Sequence, residues 1–546
     1  MTNPTTPTGF AVHGAQPQRG LDSTPSSTSY NGRYGRIFRD LPTYDINDAS
    51  LIALADVMVE KLAPGEALDE ALGVEDEDEN VGVLDGELRL PAGYTYFGQF
   101  VDHDITFDPI SSLSRQNDPD ALTNFRSPRF DLDSLYGRGP SDQPYMYGDD
   151  GVHLVEGLLS GPQAGTNGPD LPRASNGRAI IGDPRNDENL IVSQLQVAMI
   201  KFHNHVADEV QLTGWSSDDV LKKTQQIVRW HYQWVVVHDF LPRLVGQDVV
   251  DDILPLSPYK TSPHSDPAIP KPNLRFFHWK NEPYMPLEFA VAAYRYGHSQ
   301  IRPSYLLNDI ARTSPAIPGV SRITVFLQND EELQSLNGFR RLPDFWGVQW
   351  KFFLPHITGS DPANTSLPQP SYRLDATIAH PLGALNRQAA EPRQVASGFS
   401  PTIAQSLAVR NLLRGKRLNL PSGPDVARAM GIEPLTDSQL FDDVQLDPQV
   451  RTDLAGRAPL WYYVLKEADV LANGEQLGPV GGRIVAEVLI GLLVGDSLSY
   501  INVEPNWRPY LASRIDDHFT LSDLINFAIP SVAAPAQATA DQSQRV

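Results

Sequence analysis

Residues 94–106, Tyr-Thr-Tyr-Phe-Gly-Gln-Phe-Val-Asp-His-Asp-Ile-Thr, constrain this chain more than any other stretch. Apolar side chains at Tyr96, Phe97, Phe100 and Val101 recur at helical spacing and predict a helix that faces a core. Gln99, Asp102 and His103 stand at i, i+3 and i+4, so on that helix they share one face and can reach a single ligand. Asp104 is turned about 100° further round and serves a different environment. An amide, a carboxylate and an imidazole beside buried aromatics are costly unless something satisfies them, which is the first sign of a site.

The 21 Phe, 19 Tyr and 8 Trp suffice for a substantial core. A formal charge of −23 argues against a nucleic-acid or anionic-membrane binder, which needs a basic face. Part of that charge lies in the run 66–87, containing Glu75-Asp76-Glu77-Asp78-Glu79, which reads as a solvated acidic loop rather than a cation site. The chain has no cysteine, which excludes disulfides, thiolate-ligated haem or iron–sulfur clusters, and thiol peroxidase chemistry. The first residues lack both a charged n-region and an apolar h-region, so no secretory signal is expected. That leaves cytoplasmic residence or export by a non-Sec route. No stretch approaches the ~20 apolar residues of a membrane span; the longest, Ile484 to Leu493, reads as a buried helix.

The pattern predicts a mainly α protein: one large helical domain over 36–530 with long loops and little β, between disordered tails at 1–35 and 531–546. Helices are expected at 49–63, 188–212, 218–244, 286–301, 401–414, 424–431 and 479–495. Residues 106–185 read as loop, and a Pro-rich link runs over 253–273.

Three constellations carry chemistry. In the segment 127–133, Ser127, the Arg129 carbonyl, Asp131 and Asp133 offer oxygens at alternate residues. An extended segment would aim these to one side for a hard cation, and an Asx-type turn before Tyr136-Gly137 explains them equally well. In Gly182-Asp-Pro-Arg185-Asn-Asp-Glu188, either Asn186 or Asp187 caps a helix, or Arg185 and Glu188 converge on one cofactor edge. His298 ends the series Leu287, Val291, Tyr294, His298 on a buried stripe, beside Gly297, where a flat group could approach the backbone. His203, His205, His231 and His238 lack a placed acidic partner and read as core or capping residues.

The order of these motifs is more specific than any one of them. Gly-Gln-x-x-Asp-His-Asp, a Ser-x-x-x-Asp loop ending in Tyr-Gly, Gly-Asp-x-Arg-x-x-Glu, Arg-Tyr-Gly-His and a late Arg-Asn together resemble the animal-type haem peroxidases. This is the family of the peroxidase–cyclooxygenase superfamily that includes myeloperoxidase and lactoperoxidase. The absent disulfides and the segment at 410–417 resemble its bacterial members.

The resemblance implies haem b and calcium as cofactors, and hydrogen peroxide with small anionic or phenolic donors as substrates, turned over through a ferryl. It implies His103 as acid–base catalyst with Gln99 beside it, Arg185 as the distal arginine and His298 as proximal iron ligand held by Asn411. Asp102 and Glu188 match carboxylates that form ester bonds to haem, and Arg295 matches an arginine near a propionate. Asp104, Ser127, Arg129, Asp131 and Asp133 match a calcium site. One position departs: where myeloperoxidase has a methionine linked to haem through a sulfonium, this chain has Asn189. The missing electron-withdrawing link argues against chloride and leaves bromide, iodide, thiocyanate and phenols as donors. Two alternatives are a fatty-acid oxygenase of the cyclooxygenase and dioxygenase branch, and a non-catalytic haem or adhesion protein on the same fold. The oxygenase branch has its radical tyrosine three residues before the proximal histidine, where this chain has Arg295, flanked by Tyr294 and Tyr296.

Overall fold

The computed structural model describes residues 32–61, 83–84, 87–88, 90–108, 113, 116–118, 122–157, 170–211, 214–255, 271–309, 322–326, 335–342, 346–358, 368–385, 405–513 and 518–530. Most of the acidic run and of the Pro-rich link, residues 1–31 and the tail from 531 lie outside them.

Helices dominate the described residues, as the apolar periodicity predicts. Strand β1 (Gly32–Gly35) begins inside the segment expected to be disordered. Helix α1 (Asp48–Met58) follows, capped by the Asn47 side chain, then the central helix α2 (Ala92–Ile105). Strand β2 (Thr123–Asn124) lies in the long loop region. Two long helices come next, α3 (Leu190–Gln211) and α4 (Ser217–Val235), and then strand β3 (Met285–Pro286). The C-terminal half contributes α5 (Leu407–Arg417), α6 (Leu460–Ala472) and α7 (Pro479–Gly495). β1 sits at the centre of a small sheet, antiparallel to β2 and parallel to β3, with Arg33 opposite Thr123 and Tyr34 opposite Met285. None of the described helices is long and apolar enough to cross a membrane.

α2 is the pivot. Tyr94, Phe97, Phe100 and Val101 are fully buried, and a helix that is apolar nearly all round belongs in a core. Phe97 meets the rings of Tyr232 and Phe240 edge-on, at 6.0 and 5.6 Å, and Phe100 meets Tyr232 at 6.2 Å. Truncating either phenylalanine to alanine would cost about 3–5 kcal/mol. At the start of α2, Gly93 is required sterically, since a Cβ there would lie 2.7 Å from the Phe353 carbonyl oxygen. α2 is thereby locked before its polar face is used for anything.

The expected helix at 286–301 is not a regular α-helix. Glu288–Ala292 forms a π turn and Ala293–His298 a 3-10 turn, joined at Ala292 (φ −128°, ψ −77°). Two side chains explain the break. The Glu288 carboxylate accepts the backbone N–H groups of Phe38 (2.9 Å) and Ile37 (3.1 Å), which ties the start of the segment to the chain after β1. Arg295 Nε donates to the Ala290 carbonyl at 3.0 Å and satisfies an acceptor that the break would orphan. α4 is interrupted similarly: a π turn at Val236–Phe240 leads into the short helix Leu241–Val245, which accommodates Pro242.

The four histidines read as structural are hydrogen-bonded within the protein. His203 joins the Tyr136 hydroxyl (3.1 Å) to the Val152 carbonyl (2.9 Å), and His205 and His231 face the carbonyls of Phe527 and Ile227. His238 Nε2 is 2.7 Å from the Tyr500 hydroxyl.

Candidate active site

A cavity of about 690 Å³ lies between α2 and the 3-10 turn that ends at His298. Gln99, Asp102 and His103 line it from α2, and Arg185 and Glu188 from the connection into α3. The opposite wall presents Arg295, Gly297 and His298, with Arg410, Asn411 and Arg414 from α5. Every residue read from the sequence as catalytic or haem-binding therefore borders one space, within the size range of cofactor sites.

On the α2 side, His103 is buried, with Nδ1 2.7 Å from Asn186 Oδ1, and Asn186 Nδ2 donates to Gln196 Oε1 at 2.8 Å. His103 Nε2 is 3.8 Å from Glu188 Oε1. Gln99 Nε2 donates to that same carboxylate, while Gln99 Oε1 accepts from Asn189 Nδ2 at 3.0 Å. Burial, reinforced by the Arg185 cation, pushes the His103 imidazole down to about 3, so it is neutral at ordinary pH. Burial pushes the Glu188 carboxyl up to about 7 against the pull of Arg185, and raises Asp102 against Arg185 and Arg295. Thr106 Oγ1 donates to Asp102 Oδ1 at 2.9 Å.

Arg185 is held from several directions. Its Nη2 donates to the carbonyls of His103 (2.9 Å) and Thr106 (2.6 Å) at the end of α2, and to Asp183 Oδ2 (2.8 Å). Its guanidinium lies 4.6 Å from the centre of the Phe107 ring. Burial alone would raise the Asp183 carboxyl, but the guanidiniums of Arg185 and Arg126 hold it well below the usual carboxylate range. The expected cap at Asn186 or Asp187 is displaced. Asp183 Oδ1 accepts the Arg185 N–H (2.8 Å) at the 3-10 turn Pro184–Asp187, and Asn189 Oδ1 accepts the Val192 N–H (3.0 Å) at the start of α3. Asp187 instead pairs with Arg173 through two bonds, at 2.7 and 2.8 Å, and Asn186 is turned toward His103.

On the opposite wall, His298 Nδ1 is 2.8 Å from Asn411 Nδ2, and Arg295 Nη1 donates to Asn411 Oδ1 at 3.0 Å. The Trp461 ring stands edge-on to His298 at 6.4 Å, and its Nε1 donates to the Arg295 carbonyl. Burial, with Arg295 and Arg410 adding to it, lowers His298 to about 3, so its imidazole is neutral at ordinary pH. Gly297 meets no atom of the described residues within 4 Å where a Cβ would project, and its φ is not positive. Neither packing nor backbone conformation demands glycine there, whereas a flat group lying against that backbone would. The buried hydroxyl of Tyr294, which also lines the cavity, has no hydrogen-bond partner among the described residues. A cavity bordered by two neutral imidazoles, with an open glycine beside one of them, fits a haem.

Behind α2, carboxylate oxygens of Asp104, Asp131 and Asp133 lie within 4.8 Å of one another, all buried. Ser127 Oγ donates to Asp131 Oδ2 at 2.6 Å, and Ser134 Oγ to Asp104 Oδ1 at 3.1 Å. Burial and the two neighbouring carboxylates raise Asp104 well above the usual range. Three acids crowded in low dielectric fit a hard divalent cation that would relieve their repulsion. The segment is not extended throughout as expected: Leu132 is left-handed (φ 57°), and Asp133 opens a helical turn, Asp133–Tyr136. Arg129 is buried, with its guanidinium 3.8 Å from Glu282.

A model of the animal haem peroxidase family matches residues 130–343. Among curated proteins, dual oxidase 1 of Caenorhabditis elegans is 25% identical over 207 residues, covering 35% of this chain and 12% of that protein. Thyroid peroxidase of Homo sapiens is 22% identical over 240 residues, covering 40% of this chain and 23% of its own length. The chain thus spans less than a quarter of either relative. Among solved structures, fatty acid alpha-dioxygenase of Arabidopsis thaliana aligns with TM-score 0.50 and 15% identity over 87% of this chain and 75% of that one, a likeness of fold. Residues 130–343 are thus similar to the animal haem peroxidase family, over less than half of the chain.

Proposed function

We propose that this protein is a haem peroxidase that uses hydrogen peroxide to oxidise small donors such as bromide, iodide, thiocyanate or phenols. The observation that carries this reading is the single cavity bordered by His103 on one wall and by His298 and the open Gly297 on the other. His298 would hold the iron and Asn411 orient its imidazole. Asp102 and Glu188 would attach the haem as esters, and Arg295 would face a propionate. Haem, when bound, supplies the iron at which the peroxide O–O bond is cleaved.

The protein's own part is proton transfer and charge placement. Neutral His103 accepts the proton of one peroxide oxygen and returns it to the other as water leaves. Arg185, fixed by Asp183 and the end of α2, holds positive charge beside that transfer. Gln99, oriented by Asn189, presents its amide to Glu188 on the same wall. A calcium ion bound through Asp104 would couple the metal to His103, the preceding residue. Asn189, engaged in capping α3 and orienting Gln99, makes no sulfonium link, which favours donors easier to oxidise than chloride.

The test is peroxide-dependent oxidation of bromide, iodide, thiocyanate and guaiacol by haem-loaded protein, beside His298→Ala. Turnover by the wild type with loss of haem retention in the variant supports the reading; no turnover with any donor refutes it. A second reading, fatty-acid oxygenation, draws on the unpartnered Tyr294 hydroxyl in the cavity. Oxygen uptake with a polyunsaturated fatty acid in the absence of peroxide would favour it.

A further inference from the structure

A base that takes a proton from a bound peroxide must present a lone pair to it. A neutral imidazole has one lone pair and one N–H, so its usefulness depends on which nitrogen carries the proton. In His103 the cavity side is Nε2, the nitrogen nearer Glu188, and Nδ1 points away to Asn186. The Asn186 oxygen can only accept a hydrogen bond, so at 2.7 Å it requires the proton on Nδ1 and leaves the lone pair on Nε2.

The amide cannot turn round by itself. Asn186 Nδ2 donates to Gln196 Oε1 on α3, and reversing Asn186 alone would set oxygen against oxygen there and its NH2 against His103. His103, Asn186 and Gln196 are 4%, 0% and 1% exposed, so bulk water offers no substitute partner. The chain ends on Gln196 Nε2, which is buried without a partner among the described residues. An unmet buried donor costs about 1–3 kcal/mol, so the arrangement is not one that stability alone would select.

We propose that Asn186, held by Gln196, is a positioning residue that fixes His103 in its Nδ1–H tautomer and keeps the Nε2 lone pair facing the cavity. The need for that lone pair rests on the peroxidase reading; the tautomer itself does not. Asn186 follows Arg185 directly, so the turn that places one cavity residue also places the support of another.

The experiment uses the full-length haem-loaded protein labelled with ¹⁵N-histidine, as the diamagnetic carbon monoxide complex of the reduced form, with His103 assigned by its loss in His103→Gln. Wild type is expected to show a protonated Nδ1 and an unprotonated Nε2. Asn186→Leu should lose that signature and slow the reaction with peroxide by about 100-fold, at the low end of general-base effects. Asn186→Asp keeps an acceptor in place and should retain the tautomer and react within about tenfold of wild type. Gln196→Met exchanges one unmet donor for another; its melting temperature should barely move while the peroxide reaction slows about tenfold. The two latter variants decide the matter if Asn186→Leu does not fold. A wild-type His103 protonated on Nε2, or an Asn186→Leu protein with unchanged tautomer, overturns the proposal. If wild type shows the expected tautomer and yet does not react with peroxide, the positioning role stands and the peroxidase reading falls.

Discussion

Gly297 should separate the stability of this protein from its proposed capacity to hold a haem. A Cβ at 297 would meet no atom of the described residues within 4 Å, and the residue does not occupy the left-handed region. Gly297→Ala should therefore stabilise the fold by about 0.4–1 kcal/mol, through the narrower unfolded ensemble. Gly297→Val should melt no lower than wild type. In both variants the added methyls project into the cavity beside His298, where a flat cofactor would lie. Overpacking of that kind costs about 1–3 kcal/mol. At 1.4 kcal/mol per tenfold, haem affinity should fall about 5- to 150-fold, more for valine than for alanine. Haem titration followed at the Soret band, with a thermal melt of each protein before haem is added, measures both quantities. A valine variant that binds haem as tightly as wild type would refute the placement of the cofactor against that backbone. One that melts well below wild type would refute the claim that the space is open.

Calcium should raise the melting temperature of wild type, by up to about 2.7 kcal/mol of added stability at 100 times its dissociation constant. Asp104→Asn, which removes one of the three crowded carboxylates, should abolish that response; a full response in the variant would contradict the assignment. Acid should destabilise the fold through His203 and His231, both held down at about 4, by burial first. The unfolded chain takes up these protons near 6.5 and the folded one near 4, so the stabilisation is full above 6.5 and is lost as pH falls. Each histidine accounts for about 2 kcal/mol between pH 7 and 5. A urea midpoint unchanged over that range would contradict this. Acid–organic extraction of the denatured haem-loaded protein should leave haem attached through Asp102 and Glu188; fully extractable haem would sink the ester proposal.

Much of the site was legible because it sits on periodic structure. The i, i+3, i+4 spacing of Gln99, Asp102 and His103 sufficed to put all three on one wall, since α2 is an ordinary helix with a buried apolar face. His298 was found for a partly wrong reason. The residue reaches the cavity, but on a 3-10 turn after a π turn, a break enforced by Glu288 and Arg295 contacts hundreds of residues away or across the turn. Asn186 was weighed only as one of two possible caps, because its local sequence is a capping sequence. Its actual partner, His103, is 83 positions away, and no local pattern encodes a bond of that range. Asp183 was passed over for the same reason, its value lying in neutralising Arg126 and Arg185 together. Strand β1 was taken for part of a disordered tail because four residues of Gly-Arg-Tyr-Gly carry no strand alternation; pairing with β2 and β3 supplies what the sequence lacks.

The central claim is that His103 works as the base in a haem pocket closed from the other side by His298. Its most direct test is the absorption spectrum of haem-loaded protein mixed rapidly with one equivalent of hydrogen peroxide, for wild type and His103→Gln. The account predicts a Soret change in wild type that reverses on adding a donor, and in the variant the same change slowed about 10²- to 10⁴-fold with the starting haem spectrum intact. No Soret change in wild type, or equal rates in the two proteins, would contradict it.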